Sequence, residues 1–385
     1  MSPPEIRMKP EHEELRAWAR DFAAREVAPL AERIDRDDEY PRQLMRKMGE
    51  YGLLGINAPV EYGGLGLDLL SSVVVGEEIA KVSLSVGLLI GVQYGLVGYP
   101  LAQFGTAAQK ERFLPGLVKG ELVGSYALTE PGAGSDAANV QTRAERAGDD
   151  AYRINGSKTW ISQGFYADVV VLFTRTGKPE EKAAGMTTFL VERGTKGFEV
   201  GSKLEVMGVR GTGTAELVFS DCVVPSSSML GSPGDGFLIA MAVLNEGRVG
   251  AAAGALGVAE AALEACISYS KKRVLFDRPL SKLEAIRFLI AEMGTRIEAA
   301  RLLTYRAACV RDSGEEFTRE ASMAKLFSTE TAVWASERAI QIHGGIGLSK
   351  QLPVERYLRD AKVMDIVEGT SEVQKWILAR ELIGT

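Results

Sequence analysis

A chain of 385 residues, 46% apolar and 25% charged, is long enough for two or three domains with large cores. Its net charge of −6, with Lys and Arg scattered, argues against a whole-surface affinity for nucleic acid or anionic membrane. Two histidines (His12 and His343) and three cysteines without a CxxC pair leave no basis for a metal site.

The opening stretch MSPPEIRMKPEHEEL has no apolar signal core, and the apolar run Val82–Val97 is interrupted by Ser, Gly and Gln. A cytoplasmic protein without a membrane span is expected. From Glu11 to Arg33 apolar residues recur at helical spacing, with a kink or break expected at Pro29. Residues 41–56 and 67–118 continue the helical habit. Gly87, Gly91, Gly95 and Gly98 recur every three or four residues, either for close helix packing or to leave room for a ligand chain.

Near residue 122 short runs rich in β-branched and aromatic residues begin: SYALTE, AYRI, KTWIS, DVVVLFT, MTTFLVE and AELVFS. They predict a compact antiparallel sheet, with Asn155-Gly156 read as a two-residue hairpin turn. From about 234 the pattern is helical again, over Gly247–Arg273, Leu280–Ser313, Phe317–Gln341 and Ser371–Leu382. The fold class expected is α+β in three domains. These are an N-terminal helical domain (1–121), a central antiparallel β domain (122–233) and a C-terminal domain like a four-helix bundle (234–385).

The segment EPGAGSDA, Glu130–Ala137, contains GxGxxA, but more strand follows it and no βαβ unit surrounds it. A nicotinamide-binding fingerprint is therefore rejected in favour of a turn whose N–H groups face an electron-rich ligand.

YALTEPGAGSD (Tyr126–Asp136) and QIHGGIGLSKQLPVERYLRDAK (Gln341–Lys362) resemble the two signatures of the acyl-CoA dehydrogenases. IVEGTSEVQKWILAR (Ile366–Arg380) resembles the catalytic segment of the short- and medium-chain members. KTWISQG (Lys158–Gly164) and RVLFDRPLSKLEAIRF (Arg273–Phe288) match further blocks in family order. The resemblance implies a homotetrameric FAD flavoprotein with the cofactor between the β domain and the C-terminal helices. It implies α,β-dehydrogenation of an acyl-CoA to a trans-2-enoyl-CoA, with electrons passed to an electron-transferring flavoprotein.

By the same resemblance Glu368 is the base for the α proton. Ser371-x-x-Gln374 fits a capping box, so a helix should begin near Val373, with Glu368 and Gly369 in the loop before it. The second location of the family's base is Gly247 here, and Glu246 beside it would point about 100° away on a helix. FAD contacts carried over are Tyr126, Leu128, Thr129, Ser135, Trp160, Ile161 and Ser162, with Thr370 and Glu372. Arg273, Phe276, Gln341, Gly344 and Gly345 match contacts made across subunits. Substrate contacts carried over are Ser135, Asn245, Arg248, Gly369 and Arg380.

This chain departs from the family at several positions: Asp277 for Gly, Glu284 for Gln, Asn245 for an acid and Val367 for an aromatic. Two carboxylates near a diphosphate are unfavourable unless arginines offset them. The alternatives weighed are an oxidase using oxygen on the same fold and a non-catalytic, nucleic-acid-binding flavoprotein. The oxidases carry an extra C-terminal region, and the nucleic-acid-binding branch a basic one.

Overall fold

The computed structural model describes residue 6 and residues 8–384. The N-terminal part is helical: α1 (Pro10–Phe22), α2 (Ala28–Asp37), α3 (Arg42–Glu50), α4 (Leu69–Val82), α5 (Leu84–Ile90), α6 (Tyr99–Phe104) and α7 (Ala107–Val118). The break expected at Pro29 is a widened π-helical turn, Ala23–Val27, that joins α1 to α2 without a loop. A proline ring cannot donate to the preceding turn, and the wider turn accommodates it. A second π-helical segment, Gly91–Gly98, joins α5 to α6.

The start of α4 is pinned by two carboxylates. Asp68 accepts the Ser71 N–H (2.9 Å), and Asp312 from the distant C-terminal part accepts the N–H groups of Leu69 (2.9 Å) and Leu70 (3.1 Å). Both satisfy donors that a helix N-terminus leaves orphaned.

The middle of the chain forms β1 (Gly124–Ala127), β2 (Arg143–Arg146), β3 (Ala151–Ile161), β4 (Val169–Arg175), β5 (Met186–Glu192), β6 (Phe198–Lys203), β7 (Ala215–Pro225) and β8 (Met229–Leu230). The strand order is β6-β7-β3-β2-β4-β5-β8, with β1 on β4. Pairing is antiparallel as expected, except that β1 runs parallel to β4 and β2 meets β4 in one parallel pair. The hairpin predicted at Asn155-Gly156 is absent. Both residues lie inside β3, where the register against β7 shifts between Ile154 and Gly156. A Cβ at Gly156 would lie 2.6 Å from Thr142 Oγ1, and the Asn155 side chain accepts the Asp221 N–H (2.7 Å). The Asn-Gly pair thus serves a bulge under close strand approach rather than a turn.

The C-terminal part holds α8 (Gly236–Lys272), a small ribbon of β9 (Val274–Leu275) and β10 (Arg278–Pro279), α9 (Glu284–Asp312), α10 (Thr318–His343), α11 (Val354–Ile366) and α12 (Ser371–Ile383). Helix α8 begins before the predicted Gly247, and the periodicity did not reveal α11. The Ala-rich middle of α8, from Ala251 to Ala262, is buried against α4, α9 and α10. Two stretches, Leu84–Phe104 and Gly236–Lys272, are long and apolar enough to cross a membrane, but 61% and 67% of an 18-residue apolar window within each is buried inside the protein. Their apolarity belongs to a core.

Candidate active site

Glu368 stands in the loop between α11 and α12 with φ 57°. A left-handed glutamate is strained by about 1–2 kcal/mol, so its surroundings must impose it. They do so through four bonds. Gln374 Nε2 donates to the carbonyls of Glu368 (3.1 Å) and Gly369 (2.9 Å), and Ser371 Oγ donates to Asp365 Oδ1 (2.7 Å). The wholly buried Lys325 Nζ donates to the Asp365 carbonyl (3.0 Å). The cap of α12 is Thr370, whose Oγ1 accepts the Val373 N–H (3.4 Å), not Ser371. Gln374 is therefore free of capping duty and locks the loop instead.

The Glu368 carboxylate projects against α8. Its Oε2 is sealed from solvent and has no hydrogen-bond partner among the described residues. A Cβ at Gly247 would lie only 2.5 Å from that oxygen. The carboxylate of Glu368 thus occupies the space that a side chain at position 247 would need. Burial pushes the Glu368 carboxyl up to about 7, while Arg248 and Lys325 hold it back.

Arg248 is buried. Its Nη1 donates to Asn245 Oδ1 (2.6 Å), and its Nε has no partner among the described residues. Burial lowers its proton affinity, and the charge of Glu368 opposes that. Asn245 also donates to Thr318 Oγ1 (2.9 Å), so it steadies Arg248 rather than facing a substrate directly. Glu246 is already engaged, accepting from Arg311 Nε (2.6 Å), and burial raises its carboxyl against that pull. Among the described residues, the solvent-sealed carboxylate oxygen left without a partner in the site is thus Oε2 of Glu368.

A cavity of about 170 Å³ opens in front of Glu368 between α4, α5, the π-helical segment and α8. Gly87, Gly91 and Gly95 line it, whereas Gly98 is packed under the Tyr94 ring. Both readings of the glycine repeat therefore hold, at different positions. Ser162 lines the same cavity from the sheet side.

Beside Ser162 the sheet presents a surface that fits a planar aromatic cofactor. Trp160, at φ 59°, is 60% exposed, which rules out an ordinary sheet-core aromatic. The Thr129 carbonyl accepts the Thr159 N–H (3.0 Å), and the Leu128 carbonyl accepts from Lys158 Nζ (3.1 Å). Lys158 is fully buried and also binds Glu130 (2.7 Å), whose carboxylate takes the N–H groups of Gln141 and Thr142. Burial pulls the Lys158 ammonium down to about 8, against the attraction of Glu130. This buried pair fixes the Leu128–Thr129 turn.

The other expected residues divide in two. Tyr126 packs on Phe173, and its hydroxyl is buried without a partner among the described residues. Burial and then the charge of Glu368 raise its phenol well above the ordinary value. The Ile161 side chain is in the sheet core. Ser135 is exposed in the bend just after the turn closed by Glu130 and Ala133. Arg380 lies over the Trp376 ring, near enough for its charge to lower the proton affinity of Arg248. Glu372 is exposed in the first turn of α12.

Arg273, Phe276, Gln341, Gly344 and Gly345 are not gathered here. All five are exposed at the other end of the C-terminal helices, where Tyr269 stacks on His343 (4.3 Å). Arg273 follows Arg248 by 25 residues of helix, about 37 Å, farther than one dinucleotide reaches.

Lys325, Lys158 with Glu130, and Gln374 were not foreseen as parts of the site. A signal existed for Lys325, a lone cation on a face of Ala321, Ala324, Ser328 and Ala332, all buried. A charge among small buried residues needs a local partner.

Three family profiles match: Acyl-CoA dehydrogenase N-terminal domain (residues 9–121), middle domain (125–222) and C-terminal domain (234–383). An acyl-CoA dehydrogenase of Bacillus subtilis is 46% identical over 370 residues, covering 96% of this chain and 97% of that protein. The mitochondrial short-chain specific acyl-CoA dehydrogenase of Mus musculus is 42% identical over 372 residues, 97% of this chain and 90% of that one. Among solved structures, butyryl-CoA dehydrogenase from Megasphaera elsdenii superposes with a TM-score of 0.95 at 41% identity, covering 99% of this chain and 100% of that one. A structure described as the electron transferring flavoprotein of Acidaminococcus fermentans gives 0.96 at 41% identity with the same coverage. PigA with FAD and proline gives 0.95 at 28% identity, covering 98% and 99%.

Proposed function

The chain belongs to the acyl-CoA dehydrogenase family of FAD flavoproteins, and from that premise we propose that it oxidises an acyl-CoA to a trans-2-enoyl-CoA with Glu368 as the base. The observation that carries this reading is the dry, partnerless Oε2 of Glu368 beside a largely apolar cavity. The C–H beside a thioester is a weak acid, and a carboxylate stripped of water is a stronger base than a hydrated one. With its carboxyl at about 7, Glu368 is half ionised near neutral pH, so the rate should rise with pH through 7 and level off above it. FAD, when bound, supplies at its N5 the acceptor for the β-hydride.

Leu128, Thr129, Trp160, Ser162, Thr370 and Glu372 would hold the flavin end. Arg248, Gly369, Arg380 and Ser135 would contact the thioester and CoA. The distance along α8 from Arg248 to Arg273 supports contacts across subunits, and in the homotetramer of this reading Arg273, Phe276, Gln341, Gly344 and Gly345 serve the FAD of a neighbouring subunit. The exposed Val274, Leu275, Phe276 and Phe288 form an apolar surface suited to such an interface. The electron acceptor in this reading is an electron-transferring flavoprotein, and the enzyme is cytoplasmic.

The experiment is anaerobic mixing of the FAD-loaded protein with acyl-CoAs, following flavin absorbance, beside the Glu368→Gln variant. Bleaching in the wild type that is lost in the variant is the expected result. A variant that bleaches as fast as the wild type would remove Glu368 from the role of base. Bleaching followed by rapid reoxidation in air would favour the oxidase.

A further inference from the structure

Building on the dehydrogenase reading, we propose that the acyl group oxidised here carries a ring of about six carbons beyond its β-carbon, and that Gly91, Gly95, Gly250 and Val367 make the room for it. The cavity in front of Glu368 measures about 170 Å³. An apolar cavity of about 150 Å³ takes up benzene. A butyryl group brings four carbons into this space, counting those that Glu368 must reach, and would leave much of it without contacts.

The shape points the same way as the volume. Gly91 and Gly95 lie on the π-helical segment and Gly250 on α8, and all three line the cavity. A Cβ added at any of them would meet no atom within 4 Å. Three other glycines of the cavity wall have a packing reason: a Cβ at Gly254 would strike Leu84, one at Gly247 would strike Glu368 and one at Gly87 would crowd Ala80 (3.2 Å), whereas one at Gly76 would meet Ala253 in ordinary contact (3.8 Å). The three open ones have none, and each costs its helix stability relative to alanine. They widen the cavity from two helices, as a ring requires and a single extended chain does not. Val367, a small side chain directly before the base, lines the same wall.

Two polar groups of the wall are already engaged. Tyr94 Oη donates to the Asn57 carbonyl (3.2 Å), and Glu246 accepts from Arg311 (2.6 Å). What remains for the acyl tail is apolar surface from Leu53, Ile56, Val73 and Leu88. Such a lining suits an unsubstituted hydrocarbon ring.

The test uses the FAD-loaded enzyme and compares kcat/KM for 3-phenylpropanoyl-CoA, octanoyl-CoA and butyryl-CoA. Each buried methylene is worth about fourfold, so the ring compound should exceed butyryl-CoA by at least about 30-fold. Gly250→Ala and then Gly250→Leu should lower the ratio of ring to butyryl turnover stepwise, by at least about tenfold for Leu. Butyryl-CoA or octanoyl-CoA turned over as well as the ring compound would overturn the proposal while leaving the dehydrogenase intact. So would an unchanged ratio in a folded, FAD-loaded Gly250→Leu. Bleaching by none of the three would sink the dehydrogenase reading and the ring preference with it.

Discussion

Gly247→Ala should separate stability from activity. The added Cβ would lie 2.5 Å from Glu368 Oε2, 2.9 Å from its Cδ and 3.3 Å from Leu96 Cδ2. Comfortable contact needs about 3.5 Å, so the carboxylate must retreat by about 1 Å. Its backbone cannot follow, because Gln374 holds the Glu368 and Gly369 carbonyls. Displacing a catalytic group by about 1 Å costs about 100-fold in rate. In the interior of α8 the same substitution favours the helix by about 0.5–1 kcal/mol. The expected variant therefore melts no lower than the wild type, keeps its FAD and reduces it about 100-fold more slowly in anaerobic stopped flow. Gly294→Ala, an open glycine in α9 remote from the site, is the control and should leave the rate unchanged. A Gly247→Ala enzyme within about threefold of wild type would refute the placement of the base, since a carboxylate that swings freely loses little.

Three further outcomes follow from the same geometry. Burial lifts the Glu368 carboxyl from 4.5 to about 7, so ionising it costs the folded state about 3 kcal/mol above pH 7. That cost is absent below pH 4.5 and grows between the two values, so Glu368→Gln should raise Tm at pH 8 but not at pH 4; equal Tm values at pH 8 would contradict it. Lys325→Met removes a buried positive charge that holds the Glu368 carboxyl down, so the pH midpoint of flavin reduction should move upward, and Lys325→Arg should restore it. A midpoint unchanged in Lys325→Met would make Lys325 purely structural. Phe276 and Asp277 both have positive φ, at 52° and 59°, in the two-residue turn between β9 and β10. Asp277→Gly should therefore stabilise the chain by about 0.5–1 kcal/mol in a thermal melt, and a lower Tm would show that the Asp277 side chain has a partner in the assembly.

The three-part order of helices, sheet and helices was legible because each part repeats one period over many residues. Individual elements were less so. Asn155-Gly156 has the composition of a hairpin turn, but the approach of Thr142 and the bond from Asp221 made it a bulge. Nothing local distinguishes the two, because the deciding partners are 14 and 66 residues away in sequence. The cap of α12 fell on Thr370 rather than Ser371, and the Gln374 side chain donates to two loop carbonyls instead of accepting an N–H at the helix start. Within the site, Glu368 was named from its motif, and so was the loop it stands in. Its contact with Gly247 was not readable, because that pairing spans 121 residues and leaves no trace in either segment. Lys325 likewise needed α11 to be seen, and α11 was not.

The loop that bears Glu368 combines two costs that natural cores usually avoid: a left-handed backbone at a β-carbon residue and a dehydrated carboxylate. Together they amount to about 4–5 kcal/mol, a large share of the 5–15 kcal/mol that typically holds a domain folded. Such a loop would relax unless something outside it resisted. The resistance comes from Gln374 below, Lys325 behind and the Ser371–Asp365 bond across, none of which touches the reactive oxygen. Relieving either cost while keeping the clamp should therefore stabilise the chain at the expense of turnover. Breaking the clamp while keeping Glu368 should lose turnover without a comparable gain, because the carboxylate would then reach water and lose its strength as a base. Gln374→Ala tests the second half: its pH midpoint should fall toward that of an ordinary carboxylate, and a midpoint still near 7 would mean that the walls of the cavity, not the clamp, keep Glu368 dry.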